Sequence, residues 1–182
     1  IAPLEAGEVW GVVDPQARVI AATVKQLRVF SIYAPNGQVV GSPAYEYKLQ
    51  WYRRLRNCLA NEKFSDLVVC GDFNVAPEDI DVYNTELWRG AIMASDGERA
   101  AFRDLCSLGL LDTLRIYHKE GQVFSWWDYQ MRAFEKNRGL RIDAVLTSES
   151  LAKKCIGSGI DREMRVGKDP SDHAPVWAEF QL

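Results

Sequence analysis

Histidine is scarce in this chain of 182 residues, which has only His118 and His173. With no cysteine or second imidazole at ligand spacing beside either, a zinc-type cluster is excluded. Cys58, Cys70, Cys106 and Cys155 are far apart and form no CxxC pair. That argues against a disulfide scaffold and fits free thiols in a reducing cytosol. No apolar run approaches bilayer-spanning length, and no basic-then-apolar leader opens the chain, so a cytoplasmic protein without membrane contact is expected. Strong net charge is lacking too. The formal balance is −3, so a polyanionic partner would have to be met by a local patch. The first residue is Ile1 rather than methionine, as expected of a piece cut or cloned from a longer product.

What is present suits a globular α/β protein. Hydrophobic residues make up 47% and charged residues 26%, enough to bury a core in one domain spanning residues 1–182. Val9–Val13, Arg18–Val24 and Leu27–Tyr33 read as strands around the Asp14-Pro15 turn. Leu49, Tyr52, Leu55 and Leu59 fall at helical spacing within a helix over Tyr45–Ala60. The apolar run Leu67–Cys70 reads as a strand buried on both faces and stops at Gly71-Asp72-Phe73-Asn74. A helix over Glu98–Leu108 follows, then strands over Ile142–Leu146 and Ala174–Phe180.

The candidate chemistry lies where apolar runs meet turns: Asp72 with Asn74, Asp143, and Asp172 with His173. Sheet edges are where α/β proteins form sites. Hard carboxylate and amide oxygens suit Mg²⁺, which shares its shell with water and substrate phosphate; Mn²⁺ fits the same ligands. Asp143 is a candidate acceptor for a His173 ring N–H. By spacing alone, His173 fits a phosphate-facing imidazole and a satisfied core histidine equally well, and Asp72 fits a turn. Residues 125–141 interleave Arg132, Lys136, Arg138 and Arg141 with Trp126, Trp127, Tyr129 and Phe134, a local strip suited to phosphates and distorted duplex.

The order Tyr33-Ala-Pro-Asn36-Gly, Gly-Asp72-Phe-Asn74, Gly-Leu-Arg-Ile-Asp143, Ser-Asp172-His173 resembles the endonuclease/exonuclease/phosphatase superfamily. Gly109-Leu-Leu-Asp-Thr113, Phe124-Ser-Trp-Trp-Asp-Tyr129 and Asn137-Arg138-Gly-Leu140-Arg141-Ile142-Asp143 resemble its exonuclease III and apurinic/apyrimidinic endonuclease branch. The resemblance implies a four-layer α/β sandwich, two packed sheets flanked by helices. It also implies a magnesium-dependent DNA repair phosphodiesterase acting on double-stranded DNA at abasic sites and on 3′ ends. In that reading Asp72 handles the attacking water and Asn74 positions it, while Tyr33 contacts the phosphate. The Asp143–His173 pair would stabilise the phosphoryl oxygens, with Asp72, Asn74, Asp172 and His173 at the metal. Asn36, Arg138 and Arg141 would meet phosphate, and Trp126, Leu140 and Ile142 would line a pocket for a flipped, baseless sugar.

The family's opening asparagine-bearing strand and its Gln-Glu-Thr motif, whose glutamate binds magnesium, do not occur here. An incomplete first lobe, weakened metal binding, exposed sheet surface and a missing N-terminal segment or partner chain are therefore expected. Two further readings stand beside the nuclease. One is a catalytically impaired DNA-binding or partner-binding module, and the other is a phosphatase acting on a small molecule or lipid headgroup.

Overall fold

Alternating burial along the strands sets the layers, in a computed structural model that describes residues 16–63 and 65–182. Strands β1 (Val19–Val24), β2 (Leu27–Tyr33), β3 (Asp66–Asp72), β4 (Leu110–Asp112) and β5 (Asp143–Ser148) form one sheet, and β6 (Cys155–Ile160) pairs with β7 (Val176–Phe180) in another. The larger sheet has the order β1-β2-β3-β5-β4; β2 and β3 run parallel, and the other pairs are antiparallel. The expected strand over Val9–Val13 lies outside the described residues.

Helices α1 (Pro43–Ala60) and α3 (Asp96–Cys106) are the long ones. Between and after them come three short ones, α2 (Thr85–Trp88), α4 (Thr113–Tyr117) and α5 (Glu149–Ala152). Helix α1 starts where expected of a Ser-Pro pair: the Ser42 side chain accepts the Tyr45 N–H and Pro43 occupies the first turn. Its buried stripe of Trp51, Tyr52, Leu55 and Leu59 packs with Phe102 and Leu105 of α3 onto Phe30, Ile32, Val69 and Leu146. The opposite face of the sheet, with Val29, Cys70 and Val145, meets Val176, Ala178 and Phe180 of β7. Helices, large sheet and small sheet thus stack as layers, and β3 is sandwiched between two cores as its unbroken apolar run predicts.

Candidate active site

Strand register assembles the site. Tyr33 pairs with Asp72, and Asp72 pairs with Asp143, so one row crosses β2, β3 and β5 at the strand ends. Gly71 makes this close approach feasible: its φ is 131°, and a methyl group there would stand 2.0 Å from the Ile32 carbonyl oxygen. His173 lies in the segment that leads into β7, bridged to Trp126, and its Nδ1 is 2.9 Å from Asp143 Oδ2. This bond ties the start of β5 to the segment that leads into β7.

A single segment splints both partners. Ser125, fully buried, accepts the backbone N–H groups of Ile142 and Asp143 on its hydroxyl at 3.1 Å each. Its own N–H donates to Leu140 O at 2.9 Å and its carbonyl accepts the Ala174 N–H at 2.7 Å. Trp127 N–H donates to the Asp172 carbonyl at 3.0 Å, and Trp126 Nε1 donates to Asp172 Oδ2 at 2.9 Å. The 124–127 segment therefore fixes Asp143 on one side and the Asp172-His173 pair on the other.

On the helix side of the row, Asn74 takes a left-handed conformation, φ 51°, which asparagine tolerates better than most residues. Its backbone N–H and Nδ2 donate to the two Asp72 oxygens at 2.7 and 2.8 Å, and Nδ2 also donates to Ala34 O at 2.9 Å. Asn36 Nδ2 donates to Asn74 Oδ1 at 3.3 Å. Tyr33 is 54% exposed, with the Arg18 guanidinium 4.8 Å from its ring centre.

Burial, reinforced by the Asp143 charge, lifts the Asp72 carboxyl to about 7, against the Asn74 N–H bond and the pull of His173 and Lys48. Burial opposes a charged His173, but its bond to Asp143 and the nearby carboxylates of Asp72 and Asp172 prevail and raise its pKa above the usual imidazole value. One carboxyl poised near neutrality beside an imidazolium held by a second carboxylate can accept a proton from one atom and hydrogen-bond a developing charge on another.

Several expected residues fall elsewhere. Arg141 does not face DNA: it is 1% exposed and its guanidinium binds Asp81 at 2.6 and 3.0 Å and Asp112 at 2.6 Å. Its charge is consumed by that buried network, which Arg115 joins through Asp81. Arg138 is exposed. Leu140 and Ile142 are buried with Ala76, Val82 and Ala94, with half-buried Trp126 packed against them, whereas Trp127 is core. Among the described residues no three His, Cys, Asp or Glu side chains group as a metal cluster. Asn74 is 4% exposed with its amide bonded within the protein, and His173 is committed to Asp143. Sequence reasoning missed Ser125, Lys48 and Glu98. The first sits inside the Phe124–Tyr129 motif, whereas the other two carry no motif of their own.

The residues 7–173 match the model of the Endonuclease/Exonuclease/phosphatase family. Exodeoxyribonuclease III of Haemophilus influenzae is 36% identical, over 92% of this chain and 68% of its own length. The solved structure of the 3′ phosphatase NExo from Neisseria, bound to a product DNA hairpin, is 44% identical with a TM-score of 0.91, covering 93% of this chain and 66% of that one. An AP endonuclease from Archaeoglobus fulgidus is 34% identical with a TM-score of 0.88, covering 91% and 66%. The chain thus spans about two thirds of these relatives' length. With the Tyr33–Asp72–Asp143 row and the Asp143–His173 bond already in place, the chain belongs to the Endonuclease/Exonuclease/phosphatase family.

Proposed function

We propose that this chain carries most of the machinery of a DNA repair phosphodiesterase that incises beside abasic sites and trims 3′ ends. The observation that carries the reading is the Asp143–His173 bond set beside an ionisable Asp72 in the same row. Relatives named as exodeoxyribonuclease III, AP endonuclease and a 3′ phosphatase with product DNA support DNA as the substrate.

In this reading Asp72 takes a proton from the attacking water, with Asn74 holding the carboxylate's orientation. The His173 imidazolium, fixed through Nδ1 by Asp143, presents Nε2 to a phosphoryl oxygen and stabilises the charge that builds as water adds and the P–O bond breaks. Tyr33 and the exposed Asn36 contact the phosphate. Trp126, Leu140 and Ile142 form the apolar wall against which a baseless sugar would rest.

Magnesium fits the donor chemistry. Asp72 and Asp172 offer hard carboxylate oxygens, and this ion is commonly held by one or two carboxylates together with water and substrate phosphate. When bound it would neutralise phosphate charge and assist the leaving oxygen. Manganese would occupy the same oxygens.

Incision of a duplex carrying one abasic analogue, with Mg²⁺ and with chelator, tests the proposal. Metal-dependent cleavage that is lost in Asp72→Asn is expected. A second reading, a DNA-binding module without turnover, predicts retained duplex binding without incision.

A further inference from the structure

Helix α1 buries a lysine. Lys48 lies on the same stripe as Trp51, Tyr52 and Leu55, and is fully buried. A buried ammonium is costly unless each of its three protons is met. Here each has a partner: Nζ donates to the Asn36 carbonyl at 3.0 Å, to the Asn74 carbonyl at 2.7 Å, and to the Glu98 carboxylate. Glu98, also fully buried, is itself held by the Met93 N–H at 3.0 Å and by the Ser95 N–H and hydroxyl at 3.1 and 2.6 Å. Ser95 completes the chain through the Tyr45 hydroxyl at 2.9 Å, back on α1. One turn beyond Lys48, the Tyr52 hydroxyl donates to the Phe73 carbonyl at 2.5 Å.

An apolar residue would fill this stripe at less cost, so the charge needs a reason. The two carbonyls chosen belong to the two asparagines on different loops whose side chains bond each other at the end of the strand row. We infer that Lys48 is a positioning residue for the reaction, a cation anchored by Glu98 that pins the Asn36 and Asn74 backbones at a fixed separation, and so sets Asn36 toward the substrate phosphate and Asn74 against the Asp72 carboxylate. The inference rests on the roles proposed above for Asn36 at the phosphate and Asn74 at the Asp72 carboxylate. Errors of about 1 Å in such placement cost on the order of a hundredfold in rate, which explains a rigid strut where the packing does not require one.

The test is NMR on the metal-free chain together with duplex affinity in chelator, so it needs no turnover. In the unmutated protein, Lys48 Nζ should show slowed proton exchange and scalar coupling to the carbonyl carbons of both Asn36 and Asn74. Absence of either coupling overturns the inference while leaving the nuclease reading intact. In the Lys48→Met/Glu98→Gln double variant, which removes both buried charges at similar volume, the Asn36 and Asn74 side-chain amide signals should lose their distinct shifts while the strand amides of β2, β3 and β5 stay protected. Affinity for an abasic-analogue duplex should fall by about tenfold. Unchanged asparagine signals and unchanged affinity in a folded double variant would show that the pair merely fills the core.

Discussion

At the scale of single residues, Asp72 and Arg141 make opposite predictions. The carboxyl of Asp72 rises from 3.8 to about 7 on folding, so the fold disfavours its ionised form. The sign follows directly: stability is lost as pH rises from about 4 through 7, with an upper bound of about 4 kcal/mol. In chelator, Asp72→Asn should match the unmutated chain in thermal midpoint at pH 4 and exceed it at pH 8; an equal or lower midpoint at pH 8 contradicts the environment described. His173 loses stability in the same direction, since its raised value means the contribution is full below the usual imidazole pKa and fades as pH climbs through the folded one. Arg141→Met leaves buried Asp81 with Arg115 alone and takes the cation from half-buried Asp112, and should cost about 3 kcal/mol in urea unfolding. The exposed Arg138→Ala should leave stability within about 0.5 kcal/mol. If Arg138 meets a phosphate, the salt slope of duplex binding falls by about one in that variant.

These two arginines also show what the residue pattern could convey. Both stood in a basic, aromatic strip, and nothing in the spacing Arg138-Gly-Leu-Arg141 distinguishes a solvated cation from a buried one. The difference lies in Asp81 and Asp112, distant in sequence and brought beside Arg141 only by the fold. Asp72, Asp143 and His173 were legible because their motifs lie where apolar strand runs meet turns, whereas Lys48 and Glu98 were not, because a lone charge on an amphipathic helix ordinarily faces water.

At the scale of elements, the apolar run of β3 and the spacing of α1 marked themselves, since burial on both faces or on one stripe leaves a direct trace in residue type. β6 did not. Its sequence Cys-Ile-Gly-Ser-Gly-Ile has poor strand propensity, and it forms a strand because the Trp177 ring lies across its glycines; a methyl at Gly159 would come within 2.9 Å of that ring. Gly71 is the most demanding position of the sheet. Gly71→Ala should prevent β2 and β3 from closing and leave the chain largely unfolded, read as loss of sigmoidal urea unfolding. A stable, two-state Gly71→Ala protein would contradict the register that aligns Tyr33, Asp72 and Asp143.

For the whole molecule, β1 is an edge of the larger sheet among the described residues, and its Ile20 is 59% and Val24 52% exposed. Exposed edges with apolar side chains invite association. Sedimentation velocity should show concentration-dependent self-association that diminishes in Ile20→Lys/Val24→Lys; identical behaviour of the two proteins would place any association elsewhere. Resemblance in sequence conveyed the α/β architecture with two packed sheets, but not how the 124–127 segment ties the sheets together through Ser125, which depends on backbone hydrogen bonds that residue types do not announce.

Cleavage of a duplex bearing one abasic analogue, in Mg²⁺ and in chelator, measures the central claim most directly. The account predicts metal-dependent incision by the unmutated chain and none by Asp72→Asn or His173→Ala. Retained duplex binding without incision by the unmutated chain, in both Mg²⁺ and Mn²⁺, would contradict it.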